Sequence, residues 1–98
     1  MLRVDKIFVR LSDDSRTSLC KVRQTLEDKL DRVASSTNYK VEQTELQIEV
    51  ILQKPISLPT VNQILNSFKD ERIIIYDLHW RRKEFGAFRL GYLEIVVS

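Results

Sequence analysis

Apolar residues recur along this chain with two different spacings, and the order of those spacings limits the folds that it can adopt. They alternate with polar residues over 4–11, recur at steps of three and four over 15–34, and alternate again from residue 39. Alternation is typical of a strand with one buried face, whereas steps of three and four are typical of a helix with one apolar stripe. A second helix pattern at 58–69 and two strand patterns after residue 72 complete the series.

Both helix patterns predict an inward stripe and a defined start. Ser12, Asp13, Asp14 and Ser15 offer side-chain oxygens to the free amides of a first turn, so the first helix is predicted over 15–34. Pro59 suits the first turn of the second helix, predicted over 58–69. The residues expected to face the core are Leu19, Val22, Leu26, Leu30 and Val33 in the first helix, and Leu58, Val61, Ile64, Leu65 and Phe68 in the second.

The segment 39–53 alternates with a change of phase near Gln43. Tyr39 and Val41 are odd-numbered, whereas the apolar residues from Leu46 onward are even-numbered. A period of two changes parity only through an extra residue or a chain reversal, so the segment is one bulged strand or two short strands around a turn. The absence of Gly, Pro or Asn-Gly at this point slightly favours the bulge, and both remain open.

These elements predict an α+β fold, a two-layer α/β sandwich that is ferredoxin-like or related. Two amphipathic helices can cover one face of a mainly antiparallel sheet. The additional feature is a C-terminal β-hairpin that turns near Gly86. The 98 residues fit a single domain, 1–98, and leave open whether it was excised from a larger chain.

The sequence contains no recognisable catalytic, cofactor-binding or metal-binding motif, and we predict a chain that is not an enzyme and holds no cofactor. His79 is the only histidine and Cys20 the only cysteine, which are too few for a structural zinc site. We expect His79 on an exposed or interface face of a strand and Cys20 as a buried, inert thiol. A Cys20–His79 pair in space is the enzymatic arrangement that the sequence leaves open.

Charge, cysteine content and hydropathy predict a location. The longest apolar run, residues 73–76, is far shorter than the ~20 residues of a membrane span. A lone cysteine cannot form an internal disulfide, and small secreted domains often depend on several, so we expect a cytoplasmic location. The net charge of +2 gives no strong overall field for nucleic acid or an anionic membrane.

Residues 72–92 combine positive charge with aromatic side chains. Five basic residues against two acidic ones give this segment a net charge of +3, and it holds five of the eight aromatic residues. Arginine and aromatic side chains together are typical of the dominant residues of protein interfaces. A strand over 72–83, at ~3.3 Å per residue, would extend roughly 40 Å, which favours a hairpin that projects beyond the sheet.

We therefore predict a non-catalytic interaction or regulatory module that forms a homodimer through this hairpin or a sheet edge. Residues near a hairpin tip lie beyond the helices that cover a sheet, so residues 78–92 are expected to contact a second subunit, whereas Tyr76 belongs to the core. In the simpler alternative, the aromatic residues fill the core and the basic ones keep the hairpin tip solvated. The predicted partner-binding residues are Leu78, Trp80, Arg81, Arg82, Phe85, Phe88 and Tyr92.

The alternative function is binding of single-stranded nucleic acid, RNA in particular, through Phe8, Trp80, Phe85 and the arginines. Residues 7–11 resemble the first-strand motif of the RNA recognition motif family, and residues 83–88 partly resemble its third-strand motif. The resemblance implies base stacking by Phe8, Phe85 and Phe88. Glu84 stands where that family has glycine, and the second segment follows the second helix instead of preceding it, so we do not assign the chain to that family.

Overall fold

The computed structural model describes residues 2–13, 15, 17–33, 39–66, 68, 73–85 and 88–98, with the backbone alone for 73–75, 82–85 and 88. The order of elements within these residues follows the two sequence periodicities. The elements are β1 (Leu2–Leu11), α1 (Leu19–Val33), β2 (Tyr39–Gln43), β3 (Gln47–Ser57), α2 (Leu58–Leu65), β4 (Ile73–Phe85) and β5 (Phe88–Val97). The chain therefore belongs to the α+β class.

The strands that the structure describes form one five-stranded sheet in the order β2-β3-β1-β5-β4. Three of the four pairings are antiparallel, as the sequence predicts. The fourth pairing, between β1 and β5, is parallel from Leu2 opposite Arg89 to Leu11 opposite Val97. The sheet is therefore mixed, and β5 lies inside it while β4 forms an edge.

Both helices pack on one face of this sheet, where they lie over β1 and β3. Alternate strand residues on that face are fully buried, for example Ile7, Val50 and Leu93. The predicted helix stripes supply the other half of the core. Their buried members are Leu19, Val22, Leu26, Leu30, Val61 and Ile64, with Phe68 buried just after α2.

Helix α1 begins later than the sequence pattern predicts. It starts at Leu19, and the hydroxyl of Ser18 accepts a hydrogen bond from the backbone amide of Lys21 at 3.2 Å, which makes Ser18 the N-cap. The hydroxyl of Ser15 accepts one from the amide of Thr17 at 3.3 Å, within the loop before the helix. The predicted start at residue 15 is therefore wrong, because several capping residues in a row offer more than one possible start.

The change of phase near Gln43 is a chain reversal, and the slightly favoured bulge is wrong. Strands β2 and β3 pair antiparallel up to Gln43 opposite Ile48. The hydroxyl of Thr44 accepts hydrogen bonds from the amides of Leu46 and Gln47 at 3.3 and 3.2 Å. A threonine side chain thus stabilises a turn that lacks the usual Gly, Pro or Asn-Gly.

Strand β1 does contain an irregularity, at Asp5. The register with both neighbouring strands shifts between Val4 and Lys6. Because Asp5 is an extra residue in the strand, Val4 and Ile7 are both fully buried although they are three positions apart.

Tyr39 connects the outer strand β2 to helix α1. Its hydroxyl donates a hydrogen bond to Oδ1 of Asp31 at 2.5 Å. Burial, and then this hydrogen bond and the negative charge of Asp31, raise the pKa of Tyr39 to about 12. The phenol therefore stays neutral at physiological pH and holds the short edge strand against the helix.

Candidate interaction surface

Strand β4 lies at one end of the sheet, with β5 as its neighbour among the strands that the structure describes. It is 13 residues long, whereas β2 at the opposite end has 5. The pairing of β4 with β5 shifts register between Ile73 and Ile75 and again between Trp80 and Glu84. Residues 75–80, which we call the β4 edge, form the regular stretch between these shifts. Such a stretch presents a row of unpaired backbone groups on its outer side.

The pairing with β5 assigns each side chain of the β4 edge to one face of the sheet, because opposed residues of an antiparallel pair share a face. Three residues lie on the helix-covered face: Tyr76, Leu78 and Trp80, opposite Ile95, Leu93 and Gly91. Two lie on the other, open face: Asp77 and His79, opposite Glu94 and Tyr92. The alternation predicted from the sequence is confirmed for these residues.

The structure reverses the burial predicted for Tyr76 and Trp80. Tyr76 is 58% exposed on the outer strand, since the main described contacts of the helices are with β1 and β3. Trp80 and Leu78 are half-buried and pack against the core of their own chain. The prediction that Tyr76 belongs to the core is therefore wrong; among the described side chains of the β4 edge, Tyr76 is the large hydrophobic one that is exposed.

A glycine opposite Trp80 makes room for its ring. A Cβ atom built on Gly91 would overlap Cε3 of the Trp80 ring and lie 2.5 Å from the carbonyl oxygen of His79. Real Cβ atoms do not approach carbonyl oxygens so closely. Gly91 therefore allows the indole to lie across β5, which fixes Trp80 at the rim of the core, next to the β4 edge.

A small charged cluster lies on the open face of the β4 edge. Nε2 of His79 is 2.9 Å from Oε1 of Glu94 and 4.0 Å from Oδ2 of Asp77. Asp77 opposes Glu94 in the ladder, and like charges in opposed positions destabilise a sheet. The Asp77 side chain is 69% exposed. A basic group supplied from beyond the edge would therefore stabilise this cluster.

Three rings run across the open face from β1 to β4. Phe8 meets Tyr92 edge to face, with ring centroids 5.6 Å apart, and Tyr92 stacks on His79 at 4.7 Å. A shallow pocket of about 370 Å³ lies beside them, and Phe8, Tyr92, Lys6 and Arg10 contribute to its lining. Tyr92, predicted as a partner-binding residue, is thus half-buried within the open face of the sheet.

Acidic side chains accompany the basic ones on this face. Lys6 lies 3.9 Å from Glu49, and Lys40 lies 3.2 Å from Glu42. Such pairs leave little net positive charge to attract a phosphate backbone.

Arg81 is held by its own chain. Its Nη1 donates a hydrogen bond to Oδ2 of Asp5 at 2.7 Å, which connects β4 to the irregular point of β1 across β5. Its carbonyl oxygen accepts a hydrogen bond from Nε of Arg89 at 2.8 Å. The guanidinium therefore stabilises the sheet internally, whereas the sequence predicted Arg81 as a partner-binding residue.

The antiparallel strands β4 and β5 project beyond the sheet less than predicted. The prediction that residues 78–92 lie beyond the sheet is wrong for Leu78, Trp80 and Tyr92, because β5 pairs with β1 along residues 89–97. Leu2–Leu11 and Phe88–Val97 are ten residues each, so they accompany most of the long β4 strand. The side chains of Arg82, Phe85 and Phe88, and the residues of the turn predicted near Gly86, lie outside the described residues.

Other predicted sites are not assembled. Cys20 is exposed, so the prediction of a buried thiol is wrong. It lies on α1, whereas His79 lies on the open face across the sheet, and the two do not form a pair. Within the described ranges, no group of three His, Cys, Asp or Glu side chains could hold a metal ion, and neither helix has the length and apolar character needed to cross a membrane.

The sequence does not single out two residues that the structure exposes at the β4 edge, Tyr76 and Asp77. The sequence places Tyr76 in the core and does not mark Asp77 as a contact residue. The available signal was the symmetry of residues 76–80, in which an acidic and a basic residue flank Leu78 and an aromatic residue follows on each side. That signal has meaning only once β4 is known to be an edge strand.

Comparison with known proteins identifies no relative. No family model, no curated protein and no solved structure matches the chain.

Proposed function

We propose that the chain is a non-catalytic interaction module that pairs with a second copy through the β4 edge. The observation that carries the proposal is the free side of a long strand with a large apolar side chain, Tyr76, 58% exposed on it. An unprotected edge with these properties is a template for pairing with another chain. A second copy is the commonest partner, and two-fold pairing uses the same edge twice.

The two ends of the sheet differ in how they discourage such pairing. Strand β2 is five residues long, and its exposed Lys40 and Glu42 form an ion pair at 3.2 Å. A short edge that carries exposed charges is protected from pairing. The β4 edge has three apolar or aromatic side chains on its helix-covered face and one carboxylate, Asp77, on the open face. The contrast supports β4 as the contact surface.

Substitution of Tyr76 by lysine should weaken the dimer at least tenfold, which corresponds to about 1.4 kcal/mol. A partner strand would bury the ring of Tyr76, whereas lysine adds a charge that must be desolvated. The measurement is sedimentation equilibrium over a range of concentrations. Tyr76 is a better probe than Trp80, because Trp80 also packs against the core of its own chain.

Leu46→Lys is the matched control for this experiment. Leu46 is 80% exposed in the turn between β2 and β3, at the other end of the sheet, and the substitution makes the same change of charge. It should leave the dissociation constant unchanged. A wild-type chain that sediments as a monomer at high micromolar concentration would overturn the proposal, as would equal effects of the two lysine variants.

The proposal includes a relation to ferredoxin-like folds. The order of the first five elements, strand, helix, strand, strand, helix, supports this relation. The departure is the β4–β5 pair, which places a parallel neighbour beside β1. A fold relation of this kind carries no information about activity, so the proposed function depends on the β4 edge alone.

A reducing, cytoplasmic location also remains part of the proposal. Its support is the exposed thiol of Cys20, which has no disulfide partner. Exposed free thiols are suited to compartments that keep cysteine reduced.

Single-stranded nucleic acid is the second candidate, and the ring series of Phe8, Tyr92 and His79 favours it. The platform differs from the predicted one, because Trp80 lies on the opposite face of the sheet from Phe8. The ion pairs of Lys6 and Lys40 weigh against tight phosphate binding. The dependence on ionic strength distinguishes the two candidate functions. The affinity for an oligonucleotide should fall steeply as salt increases, whereas the affinity of an apolar strand pairing should not.

A further inference from the structure

We infer that two copies of the chain pair β4 against β4 with Leu78 on the two-fold axis. The inference rests on the proposed function and specifies the contacts that it requires. The observation behind it is the self-complementary order of residues at the β4 edge, which reads Tyr76, Asp77, Leu78, His79, Trp80. Leu78 is at the centre, an acidic and a basic residue lie on either side of it, and an aromatic residue lies at each end.

Symmetry leaves few registers to choose from. A two-fold axis perpendicular to the sheet makes the two β4 strands antiparallel. It also places the helix layers of both copies on the same side of the combined sheet. Opposed side chains must share a face, so the axis passes through a residue and not between two residues. The irregular points between Ile73 and Ile75 and between Trp80 and Glu84 limit the centre to the middle of the stretch. The candidates are Asp77, Leu78 and His79.

The register centred on Leu78 gives every described side chain a suitable partner. His79 opposes Asp77 of the partner subunit, so each Asp77 carboxylate has an imidazole, and not a second carboxylate, in the opposed position across the contact. On the helix-covered face, Tyr76 opposes Trp80 of the partner subunit. An opposed pair without like charges, and an exposed aromatic side chain set against an apolar residue at the rim of the core, both favour antiparallel pairing.

The other two centres are worse. A centre at Asp77 brings its carboxylate against Asp77 of the partner subunit, beside the Glu94 carboxylates that already oppose them. A centre at His79 places Asp77 opposite Arg81 of the partner subunit. The Arg81 guanidinium is already bound to Asp5 at 2.7 Å, and Arg81 lies in the irregular part of β4. Leu78 is therefore the centre that the described contacts support.

Cysteine cross-linking can identify the centre directly. Asp77→Cys, Leu78→Cys and His79→Cys are each made in a Cys20→Ser background, since Cys20 is exposed. In the inferred register, two copies of residue 78 face each other with Cα atoms about 5 Å apart, within disulfide range. Residues 77 and 79 are each about 8 Å from their own copies, which is too far. Mild oxidation should therefore link the Leu78→Cys chain at least about tenfold faster than the other two.

A second cross-linking experiment leaves the half-buried Leu78 unchanged. Asp77 and His79 lie on the open face, with side chains 69% and 38% exposed. An equimolar mixture of the Asp77→Cys and His79→Cys chains should form a mixed disulfide faster than either chain links to itself. Non-reducing electrophoresis with mass spectrometry identifies the disulfide-linked dimers in both experiments.

The outcomes separate this inference from the function on which it rests. Fastest linking of the His79→Cys or Asp77→Cys chain to itself would overturn the Leu78 register and leave the β4 contact standing. A wild-type dimer in sedimentation with slow linking at all three positions would overturn both, since it places the contact elsewhere on the chain.

Discussion

Replacing Leu26 with alanine should lower the free energy of unfolding by about 2 to 5 kcal/mol, the range for large-to-small changes in a core. Leu26 is fully buried in the middle of α1. The substitution leaves a cavity between the helix layer and the sheet. One layer of helices covers this face, so few neighbouring side chains can shift to fill that cavity. Chemical denaturation gives the value, and the slope with denaturant checks that both chains unfold in two states.

Leu46→Ala is the control for that substitution. It removes the same atoms from a side chain that is 80% exposed, so its effect should stay within about 0.5 kcal/mol. If Leu26→Ala cost no more than the control, the inward face of α1 would be wrongly assigned, and the helix layer with it.

Gly91→Ala should also destabilise the chain, by about 1 to 3 kcal/mol or more. Propensity alone predicts the opposite sign, because alanine loses less conformational freedom than glycine when a strand forms. The new Cβ would meet the Trp80 ring and the carbonyl oxygen of His79, which lies 2.5 Å away. The backbone cannot move aside without disturbing the pairing of β4 with β5 at this point.

A double substitution separates the two parts of this effect. Trp80→Leu removes the ring from above Gly91 but leaves the carbonyl oxygen of His79 in place. The Gly91→Ala loss should therefore shrink in the Trp80→Leu chain without disappearing. A stabilising Gly91→Ala substitution in the wild-type chain would contradict the described packing of Trp80.

Hydrophobic periodicity was enough to predict which way most side chains face. The stripe that contains Leu26 is buried, and the alternation of Tyr76, Leu78 and Trp80 places them on one face as predicted. These results follow from local geometry, since the repeat of a helix or strand fixes the direction of each side chain along it.

Helix starts and turns are harder to predict from the sequence where several residues could form the side-chain hydrogen bonds that stabilise them. The capping oxygens at residues 12–15 suggested a helix start, yet Ser18 is the cap. The sequence slightly favours a bulge over a turn after Gln43, because the Thr44 hydroxyl, and not glycine or proline, stabilises this turn. The helix start and the turn both depend on side-chain hydrogen bonds that residue type alone does not determine.

The order of the strands could not be predicted from spacing, and the candidate site depends on it. Alternation predicts that Tyr76 shares a face with Trp80, but it contains no information about which strand lies at the edge of the sheet. Trp80 opposes Gly91, which leaves room for its ring to reach the core, whereas Tyr76 opposes Ile95 and is 58% exposed. Long-range pairing therefore determines which of two similar residues is exposed.

Amide hydrogen exchange of β4 at two protein concentrations tests the paired edge most directly. In an antiparallel edge strand, alternate amides point outward and exchange freely unless a further strand accepts their hydrogen bonds. We expect the outward amides of residues 75–80 to gain protection as concentration rises through the dissociation constant. The outward amides of β2, Tyr39–Gln43, serve as the internal reference and should stay unprotected throughout. Outward β4 amides that exchange as fast as those of β2, at a concentration where the chain is dimeric, would contradict the account.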